Sequence, residues 1–433
     1  MKPTPWLLPE EHAEVVQKLY MFGLIKCSNK RDLALKSGGF TDIYINLREA
    51  RSNPEAIKFI TGLFAIPLQR LGIDRFVEVP DSFSCFAGPL SIMTGLPYLT
   101  IREQAKEKGA SKGLTIGAYK FSDKVAILDD VITDGASKIV PCKECEKFGL
   151  DVESLVVLVD RQQGWEKKLL EAEVFLSVWP GLTLHDVRRE LIEAGIMQRC
   201  DPKIEAVNPI IVAFDGKSWD EILPLADQLR TTGCIIKVND LLFNEGIENL
   251  LPKLSVYGRI MADLKSYDIP NTIKNTFEHL KACPPWAVTV HASGGAKMIK
   301  EACDQLADTD TKVLAVTVLT SFDEASCEEI YNRLPLAEVL KLAEIANRAG
   351  AHGFVCSPEE SKILKEKYPD KLIVTPGIRS EGSPKNDQER IATPKGAIDN
   401  GATNLVIGRQ ILGAANPVAE VKRILTEELG ITL

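Results

Sequence analysis

Short apolar segments alternate with amphipathic segments along most of this chain. In the first half, apolar residues at helical spacing predict a helix over residues 11–25. From residue 54 the pattern predicts further helices at 54–71, 86–94 and 137–148, and strands at 75–79, 97–101, 125–128 and 155–159. Because strands that alternate with helices favour a parallel sheet with helices packed on its faces, we expect an α/β domain with a parallel sheet in this half.

The second half repeats this alternation more regularly. Eight apolar segments predict eight strands, at residues 210–214, 234–238, 257–262, 287–290, 313–318, 353–356, 372–375 and 405–407. Eight strands with helices between them, in about 200 residues, fit a (β/α)8 (TIM) barrel. A polar, proline-containing stretch at 198–209 separates the halves and predicts two domains, residues 1–200 and 205–433.

Composition excludes several classes of function. The chain has 433 residues, of which 45% are hydrophobic and 26% charged, as in soluble globular proteins. A formal net charge of −8 argues against nucleic acid as a partner. No apolar run is long enough to span a membrane, and residues 1–14 do not have the pattern of a signal peptide. The ten cysteines and five histidines lack metal-ligand spacing, so we expect reduced thiols, no protein-bound metal and a cytoplasmic protein.

Polar residues follow six of the predicted barrel strands. They are Asp215, Lys237, Asp263, His291, Thr320 and Arg409. In this fold the carboxyl ends of the strands hold the active site, and the loops after the last two strands commonly bind phosphate. Thr-Pro-Gly-Ile-Arg at 375–379 and Ile-Gly-Arg at 407–409 stand at those loops. The barrel is therefore predicted to act on a phosphorylated ligand.

The segment 262–272 carries the most concentrated charge. Asp263 and Lys265 are two residues apart, and on extended backbone they would point to the same face. With Lys237 and Asp268 they form an array of alternating sign, in which each charge has a possible partner. A structural ion pair explains an isolated Asp-x-Lys. The array favours a sharper interpretation, a protonated Lys265 beside a carbon that becomes a carbanion.

The second half combines several motifs whose combination is highly specific. They are Asp263-x-Lys265-x-x-Asp268-Ile269-x-x-Thr272, Pro376-Gly377-Ile378-Arg379, Asp387-Gln388-x-Arg390 and Gly408-Arg409. With these motifs, residues 208–430 resemble orotidine 5'-phosphate decarboxylase. The resemblance implies that Lys265 protonates C6 of the pyrimidine as carbon dioxide leaves, without a cofactor, while Asp263 crowds the substrate carboxylate.

The same resemblance implies a homodimer and a set of substrate contacts. Asp268 and Thr272 would reach into the neighbouring subunit's site. The other implied contacts are Asp215 and Lys237 with the ribose hydroxyls, Thr320 with the pyrimidine amide edge, Gln388, Gly408 and Arg409 with the phosphate, and Pro376 and Arg379 in the same site.

A second chemical motif lies at residues 125–137. An apolar strand leads into Asp129 and Asp130, then into a loop, Thr133-Asp134-Gly135-Ala136-Ser137, and a helix. Backbone N–H groups at a helix start bind anions, and glycine permits close approach. Two acids before such a loop suit ribose hydroxyls or a metal-bound sugar phosphate.

This stretch matches the phosphoribosyl-pyrophosphate motif of the type I phosphoribosyltransferases. Lys36-Ser37-Gly38, Tyr44-Ile45-Asn46 and Asp160-Arg161 make residues 15–190 resemble orotate phosphoribosyltransferase in particular. The resemblance implies that Asp129 and Asp130 hold the ribose, and that the loop with Thr133 and Gly135 cradles its 5'-phosphate. Arg161 would bind orotate with Lys36 nearby, and Mg²⁺ would accompany the pyrophosphate.

The charged segment 102–113 has two interpretations, a solvated loop or a mobile lid that brings cations to a polyphosphate. The resemblance implies the lid, with Arg102 and Lys106 at the pyrophosphate. Where the family has Lys and His, this chain has Glu103 and Lys108. Glu103 reverses a charge where cations stabilise the transition state.

Together the halves resemble the bifunctional uridine 5'-monophosphate synthases, which use orotate, phosphoribosyl pyrophosphate and orotidine 5'-phosphate. Two alternatives stay open. The first half has an alternative interpretation as a phosphoribosyl-pyrophosphate-binding or regulatory module that has lost transferase activity. The barrel has an alternative among related sugar-phosphate decarboxylases or aldolases that use Mg²⁺ at a similar Asp-x-Lys.

Overall fold

The chain folds as two units, Met1–Gln198 and Arg199–Leu433. The computed structural model describes residues 5–30, 32–34, 40–106, 113–382 and 392–432, and for 102–106 and 113–114 it describes the backbone. No helix within these ranges is long and apolar enough to cross a membrane.

The first unit is built on a six-stranded sheet with the order β10-β9-β8-β5-β6-β7. Five of its strands are parallel, but β7 runs antiparallel to β6, so the prediction of a purely parallel sheet is wrong at one edge. Two short antiparallel pairs, β1 with β4 and β2 with β3, lie outside this sheet. The strands are β1 Ile25–Cys27, β2 Leu33–Ala34, β3 Phe40–Thr41, β4 Ile43–Ile45, β5 Arg75–Glu78, β6 Tyr98–Lys106, β7 Gly113–Ile116, β8 Lys124–Ile132, β9 Asp151–Asp160 and β10 Ser177–Thr183.

Helices cover both faces of this sheet. Alternate residues of β8 enter two separate apolar clusters, Ala126 and Leu128 one, Val125 and Ile127 the other. The helices are α1 Pro9–Met21, α2 Pro54–Arg70, α3 Ser84–Thr94, α4 Ala136–Lys147, α5 Trp165–Glu171 and α6 Leu184–Glu193, with a 3-10 turn at Leu47–Ser52.

Two predictions about the first unit change in detail. The helix expected over 11–25 ends at Met21, because Gly23 takes a left-handed conformation and Ile25 pairs with Ile45 in a strand. The segment 102–113 is not simply a loop, since β6 continues to Lys106 and pairs there with Gly113 at the start of β7. Residues 107–112 lie outside the described ranges.

The second unit is a closed barrel of eight parallel strands in sequence order, which confirms the predicted (β/α)8 architecture. β11 closes the barrel by pairing with β18. The strands are β11 Ile210–Ala213, β12 Ile235–Val238, β13 Ile260–Ser266, β14 Ala287–His291, β15 Lys312–Val316, β16 Gly353–Val355, β17 Leu372–Thr375 and β18 Asn404–Ile407.

Amphipathic helices surround these strands, and apolar side chains such as Met261 and Leu314 fill the barrel interior. The stretch at 198–209, expected to be irregular, contains a short helix that begins with an Asp201 cap and Pro202. The helices are α7 Pro202–Val207, α8 Trp219–Leu229, α9 Asp240–Glu245, α10 Ile247–Ser255, α11 Pro270–Glu278, α12 Gly295–Gln305, α13 Glu324–Tyr331, α14 Pro335–Arg348, α15 Ser361–Lys367, α16 Pro394–Asp399, α17 Arg409–Leu412 and α18 Pro417–Arg423. Short 3-10 or π turns lie at Arg230–Thr232, Ala292–Gly294 and Ile424–Glu428.

Candidate active site

A cavity of about 440 Å³ opens at the carboxyl ends of the barrel strands. This is where the sequence placed the barrel's chemistry. Predicted site residues that line it are Asp215, Lys237, Asp263, Lys265, Thr320, Pro376, Arg379, Gly408 and Arg409. Apolar residues, Met261 and Val406 among them, form its floor, so the charged groups face a partly apolar space.

Three charged side chains in this cavity form a continuous array around Asp263. Its Oδ2 atom lies 2.6 Å from the Lys265 Nζ and 3.1 Å from the Lys237 Nζ. Lys237 also donates to both carboxylate oxygens of Asp215, at 2.8 and 2.6 Å. Lys237 and Asp263 are buried, whereas Asp215 is half exposed. The array holds two ammonium groups beside a buried carboxylate before any ligand binds.

Ion pairing, rather than burial, sets the protonation states of Asp263 and Lys237. Burial alone would raise the pKa of Asp263, but Lys237 and Lys265 outweigh burial and lower it. Burial alone would lower the pKa of Lys237, but Asp263 and Asp215 outweigh burial and raise it. At neutral pH Asp263 is therefore a carboxylate and Lys237 an ammonium.

The backbone of Lys265 is not extended, contrary to the prediction from the sequence. Its φ of 47° is left-handed, so Asp263 and Lys265 do not share a face through extended backbone, and that part of the prediction is wrong. The strand bulges here, since the register with β14 shifts between Ala262 and Ser266. The bulge, rather than the two-residue period, brings the ammonium of Lys265 to Asp263.

Two residues that the sequence analysis did not place in the site contact this array. The buried hydroxyl of Thr289 donates to Asp263 Oδ1 at 2.8 Å and accepts the Lys265 N–H at 2.9 Å. The side-chain amide of Asn239 donates to the backbone carbonyl of Asp263. Thr289 had a detectable signal, because a threonine interrupts the apolar run of β14 at a position that faces inward.

Within this one chain, Asp268 does not join the array. Within the ranges that the structure describes, it has no ion-pair partner, and its carboxylate accepts only the neighbouring Ile269 N–H, at 2.7 Å. Asp268 is exposed, as are Tyr267 and Ile269 on either side of it. Thr272 is half-buried in the first turn of α11 and does not line the cavity. This chain alone thus supplies two lysines and two acids, Asp215 and Asp263.

The opposite end of the cavity is formed by the loops after β17 and β18. Gly377 has a φ of 78°, and the backbone of Arg379 pairs with Ala392 across the ends of a loop. The side chain of Gln410 accepts the Ser380 N–H at 3.0 Å and donates to the Ser380 hydroxyl at 2.6 Å. These bonds join the segments that carry Arg379 and Arg409. Gln388, with the rest of its predicted motif, lies outside the described residues.

In the first unit, the predicted loop after β8 forms at the start of α4. Gly135, with a φ of 78°, is the residue before the helix, and an added Cβ would lie 3.1 Å from Trp165 Cβ. Thr133 lies between β8 and the helix. Arg161 is buried nearby: its backbone N–H donates to Ile132 O at 2.9 Å, and its guanidinium donates to the Thr41 hydroxyl at 3.4 Å.

Asp129 and Asp130 occupy successive positions near the end of β8, and their carboxyl groups lie close enough to interact. Asp129 is fully buried and forms an ion pair with Lys138 of α4, which is also buried. Asp130 is also buried, and Arg48 Nε is 3.9 Å from its Oδ2. The pair therefore does not present two equivalent carboxylates to one ligand.

Burial and the neighbouring Asp129 raise the pKa of Asp130 to about 7. Lys138 was not foreseen as part of the site. Helical spacing offered a signal, because Lys138 shares the buried face of α4 with Cys142 and Cys145. Lys36 and Lys108 lie outside the described residues, and so do the side chains of Arg102, Glu103 and Lys106.

The second unit is a (β/α)8 barrel enzyme domain with an Asp–Lys array at one end of its cavity. The loops after β17 and β18, which commonly bind phosphate in this fold, form the other end. A model of the orotidine 5'-phosphate decarboxylase / HUMPS family matches residues 208–424. The chain belongs to this family, and its second unit is the decarboxylase domain.

Individual relatives match the same half of the chain. Orotidine 5'-phosphate decarboxylase of Pseudomonas fluorescens is 40% identical over 224 residues, covering 51% of this chain and 96% of that protein. The enzyme of Pseudomonas entomophila is 39% identical over 227 residues, covering 51% and 97%.

Among solved structures, orotidine 5'-phosphate decarboxylase of Lactobacillus acidophilus is 35% identical, with a TM-score of 0.46, and covers 51% of this chain and 98% of that one. The structure of Leishmania donovani UMP synthase is 26% identical, with a TM-score of 0.37, and covers 42% of this chain and 38% of that one.

Proposed function

We propose that this chain catalyses two consecutive reactions. The first unit transfers the phosphoribosyl group of phosphoribosyl pyrophosphate to orotate, and the barrel decarboxylates the resulting orotidine 5'-phosphate to uridine 5'-phosphate. The observation that carries the proposal is the Lys237–Asp263–Lys265 array in a cavity whose far end holds the phosphate-type loops. The named relatives support decarboxylation, since they align over nearly their whole length.

In the barrel, the array supplies the chemistry of decarboxylation. The bond between C6 and the carboxylate carbon breaks, its electron pair stays on C6, and carbon dioxide leaves. The Lys265 ammonium then gives its proton to C6, and solvent reprotonates the amine. Asp263 contributes in two ways, because it orients Lys265 and places negative charge beside the departing carboxylate.

The other groups of the cavity fix the two ends of the nucleotide. Arg409 and the backbone around Gly408 bind the phosphate, and Gln388 completes that end. Lys237 and Asp215, which form an ion pair in the free protein, bind the ribose hydroxyls, while Thr320 meets the pyrimidine amide edge. A bidentate guanidinium supplies binding energy remote from C6, which holds the reacting carbon against Lys265.

A second copy of the chain completes the decarboxylase site in this proposal. Asp268 is an exposed charged group without an ion-pair partner among the described residues, and its neighbours Tyr267 and Ile269 are exposed, largely apolar side chains. An exposed acid flanked by exposed apolar residues suits a subunit interface. Asp268 and Thr272 therefore act in the partner's cavity of a homodimer.

In the first unit, the loop from Thr133 to Gly135 and the start of α4 bind the 5'-phosphate, and Asp130 binds the ribose. Arg161 and Lys36 bind orotate, and Arg102 and Lys106 meet the pyrophosphate. Mg²⁺ enters as the partner of the phosphoribosyl pyrophosphate substrate. Support for this half comes from the helix-start loop and from the resemblance of residues 15–190.

One observation favours a second candidate, in which the first unit binds phosphoribosyl pyrophosphate or regulates the barrel without transfer. Asp129, expected at the ribose, is buried and already paired with Lys138. Its carboxylate is available to a sugar only if that ion pair opens, and opening a buried pair is costly.

The test is an assay of the purified chain with orotate, phosphoribosyl pyrophosphate and Mg²⁺, following orotate absorbance and separating products by chromatography. Formation of uridine 5'-phosphate supports both activities. If orotate is not consumed while added orotidine 5'-phosphate is decarboxylated, the second candidate replaces the first. If decarboxylation of orotidine 5'-phosphate stops on addition of a chelator, the barrel instead resembles the related sugar-phosphate decarboxylases or aldolases that use Mg²⁺.

A further inference from the structure

The backbone of β13 is bulged between Ala262 and Ser266, in the segment that carries Asp263 and Lys265. Ala262 pairs with Val288 and Ser266 with Val290, so the three residues 263–265 of β13 stand opposite the single residue Thr289 of β14. Lys265 takes a left-handed φ of 47° inside this bulge. A residue with a side chain keeps such a conformation only when its surroundings enforce it.

Thr289 supplies that enforcement through one hydroxyl. The hydroxyl accepts the Lys265 backbone N–H at 2.9 Å, and it donates its own hydrogen to Asp263 Oδ1 at 2.8 Å. A hydroxyl has one hydrogen to donate, so both bonds are satisfied with a single orientation. The side chain of Thr289 thereby satisfies the backbone N–H of Lys265 inside the bulge.

Through these two bonds, Thr289 also influences where the Lys265 ammonium lies. Oδ1 of Asp263 is held by Thr289, which leaves Oδ2 to face the Nζ atoms of Lys265 and Lys237. The same hydroxyl fixes both the carboxylate of Asp263 and the backbone from which Lys265 extends. Thr289 is fully buried and does not line the cavity, so it acts on the ligand only through these two residues.

We propose that Thr289 is a positioning residue for the decarboxylation, holding the Asp263 carboxylate and the Lys265 ammonium in the arrangement that delivers a proton to C6. This inference rests on the proposed function of the barrel. It adds a residue that the motif around Asp263 and Lys265 does not contain.

Two substitutions at this position separate the hydroxyl from the packing. Thr289→Val keeps the shape and removes both hydrogen bonds, whereas Thr289→Ser keeps the hydroxyl. The matched control is Thr311→Val, because Thr311 is equally buried in the barrel but lies just before β15, at the amino end, where its hydroxyl donates to Pro285 O at 2.7 Å.

We expect Thr289→Val to lower kcat for orotidine 5'-phosphate by about 10- to 100-fold, the effect of leaving two buried polar groups unpaired. KM should change less than about twofold, since the phosphate and ribose contacts are untouched. Thr289→Ser should recover most of the lost kcat, and Thr311→Val should keep wild-type kcat. Equal kcat in Thr289→Val and Thr311→Val, or no recovery with serine, would overturn the proposal.

A measurement on the unmodified protein covers the case in which the valine variant does not fold. The Lys265 amide should be protected from hydrogen exchange as strongly as the amides of β14, because Thr289 accepts its hydrogen. Exchange at the rate of an open loop overturns the proposal. Since exchange does not depend on turnover, it decides the positioning claim even if the protein fails to decarboxylate orotidine 5'-phosphate, an outcome that would count against the proposed function instead.

Discussion

The Lys265 ammonium lies 2.6 Å from Asp263 Oδ2, although the backbone of Lys265 is left-handed and its strand is bulged. Lys237 lies 3.1 Å from the same oxygen. One carboxylate oxygen thus receives two ammonium groups in the free protein. These charges are therefore already placed beside one another before a substrate binds, and charges positioned in advance are usually a large source of electrostatic stabilisation in enzymes.

The carboxylate of Asp263 should stabilise the folded barrel in a pH-dependent way. Its pKa is lowered in the folded protein, so the stabilisation is complete above its ordinary value of 3.8 and is lost as the pH falls through the lower folded value. We expect wild type to exceed Asp263→Asn in free energy of unfolding at pH 7, with a difference that shrinks below about pH 4. Urea unfolding at several pH values measures this; a difference that stays constant with pH would contradict it.

Arg409 should bind the phosphate of the nucleotide. Arg409→Ala removes a charge-assisted contact worth about 1.5–3 kcal/mol, so we expect KM for orotidine 5'-phosphate to rise about 10- to 100-fold. The nucleoside orotidine, which lacks the phosphate, should be turned over equally well by both proteins. Arg348→Ala is the control, because this exposed arginine ends α14, before β16 and away from the cavity. Equal losses with nucleotide and nucleoside would place Arg409 elsewhere in the mechanism.

The buried pair of Lys138 and Asp129 should matter for the first unit. Lys138→Met leaves the Asp129 carboxylate buried without a charged partner, which costs about 3–5 kcal/mol of unfolding free energy. Adding Asp129→Asn removes the unpaired charge, so the double variant should recover most of that loss. Denaturant unfolding of wild type, Lys138→Met and the double variant measures both effects. A single variant as stable as wild type would mean that the pair is not formed in solution.

Asp130 should make the stability of the first unit depend on pH in the direction opposite to the effect of Asp263 on the barrel. Burial and Asp129 raise its pKa from 3.8 to about 7, so the folded state binds more protons than the unfolded state between these values. Wild-type stability from this group therefore falls as the pH rises from about 4 to about 7. Asp130→Asn, which keeps the oxygen that accepts the Val131 N–H, should be more stable than wild type at pH 8 and equal near pH 4. Thermal unfolding at both pH values measures it; an unchanged difference between them would contradict the raised pKa.

The barrel was predictable from the sequence because its eight apolar strands recur at regular intervals and polar residues follow six of them. Asp215, Lys237, Asp263 and Thr320 line one cavity as that pattern required. The bulge at Lys265 was not predictable, because the spacing of Asp and Lys does not fix a backbone angle. The contact of Thr289 with Lys265 depends on that bulge, so the sequence did not predict it either.

The first unit was harder to predict, for two physical reasons. The antiparallel edge β7 lies next to a charged segment without the apolar alternation that marks a strand. The adjacent acids Asp129 and Asp130 read as one binding motif in the sequence. In the structure Asp129 is buried in an ion pair with Lys138 of α4, a contact between separate elements that the sequence alone does not show.

The most direct test of the account uses Lys265→Ala supplied with orotate, phosphoribosyl pyrophosphate and Mg²⁺, with orotate, orotidine 5'-phosphate and uridine 5'-phosphate separated and measured. If the two sites act independently, we expect Lys265→Ala to consume orotate at the wild-type rate. Orotidine 5'-phosphate should then accumulate without formation of uridine 5'-phosphate. Continued formation of uridine 5'-phosphate would contradict the role of Lys265. Loss of orotate consumption in the variant alone would contradict the independence of the two sites.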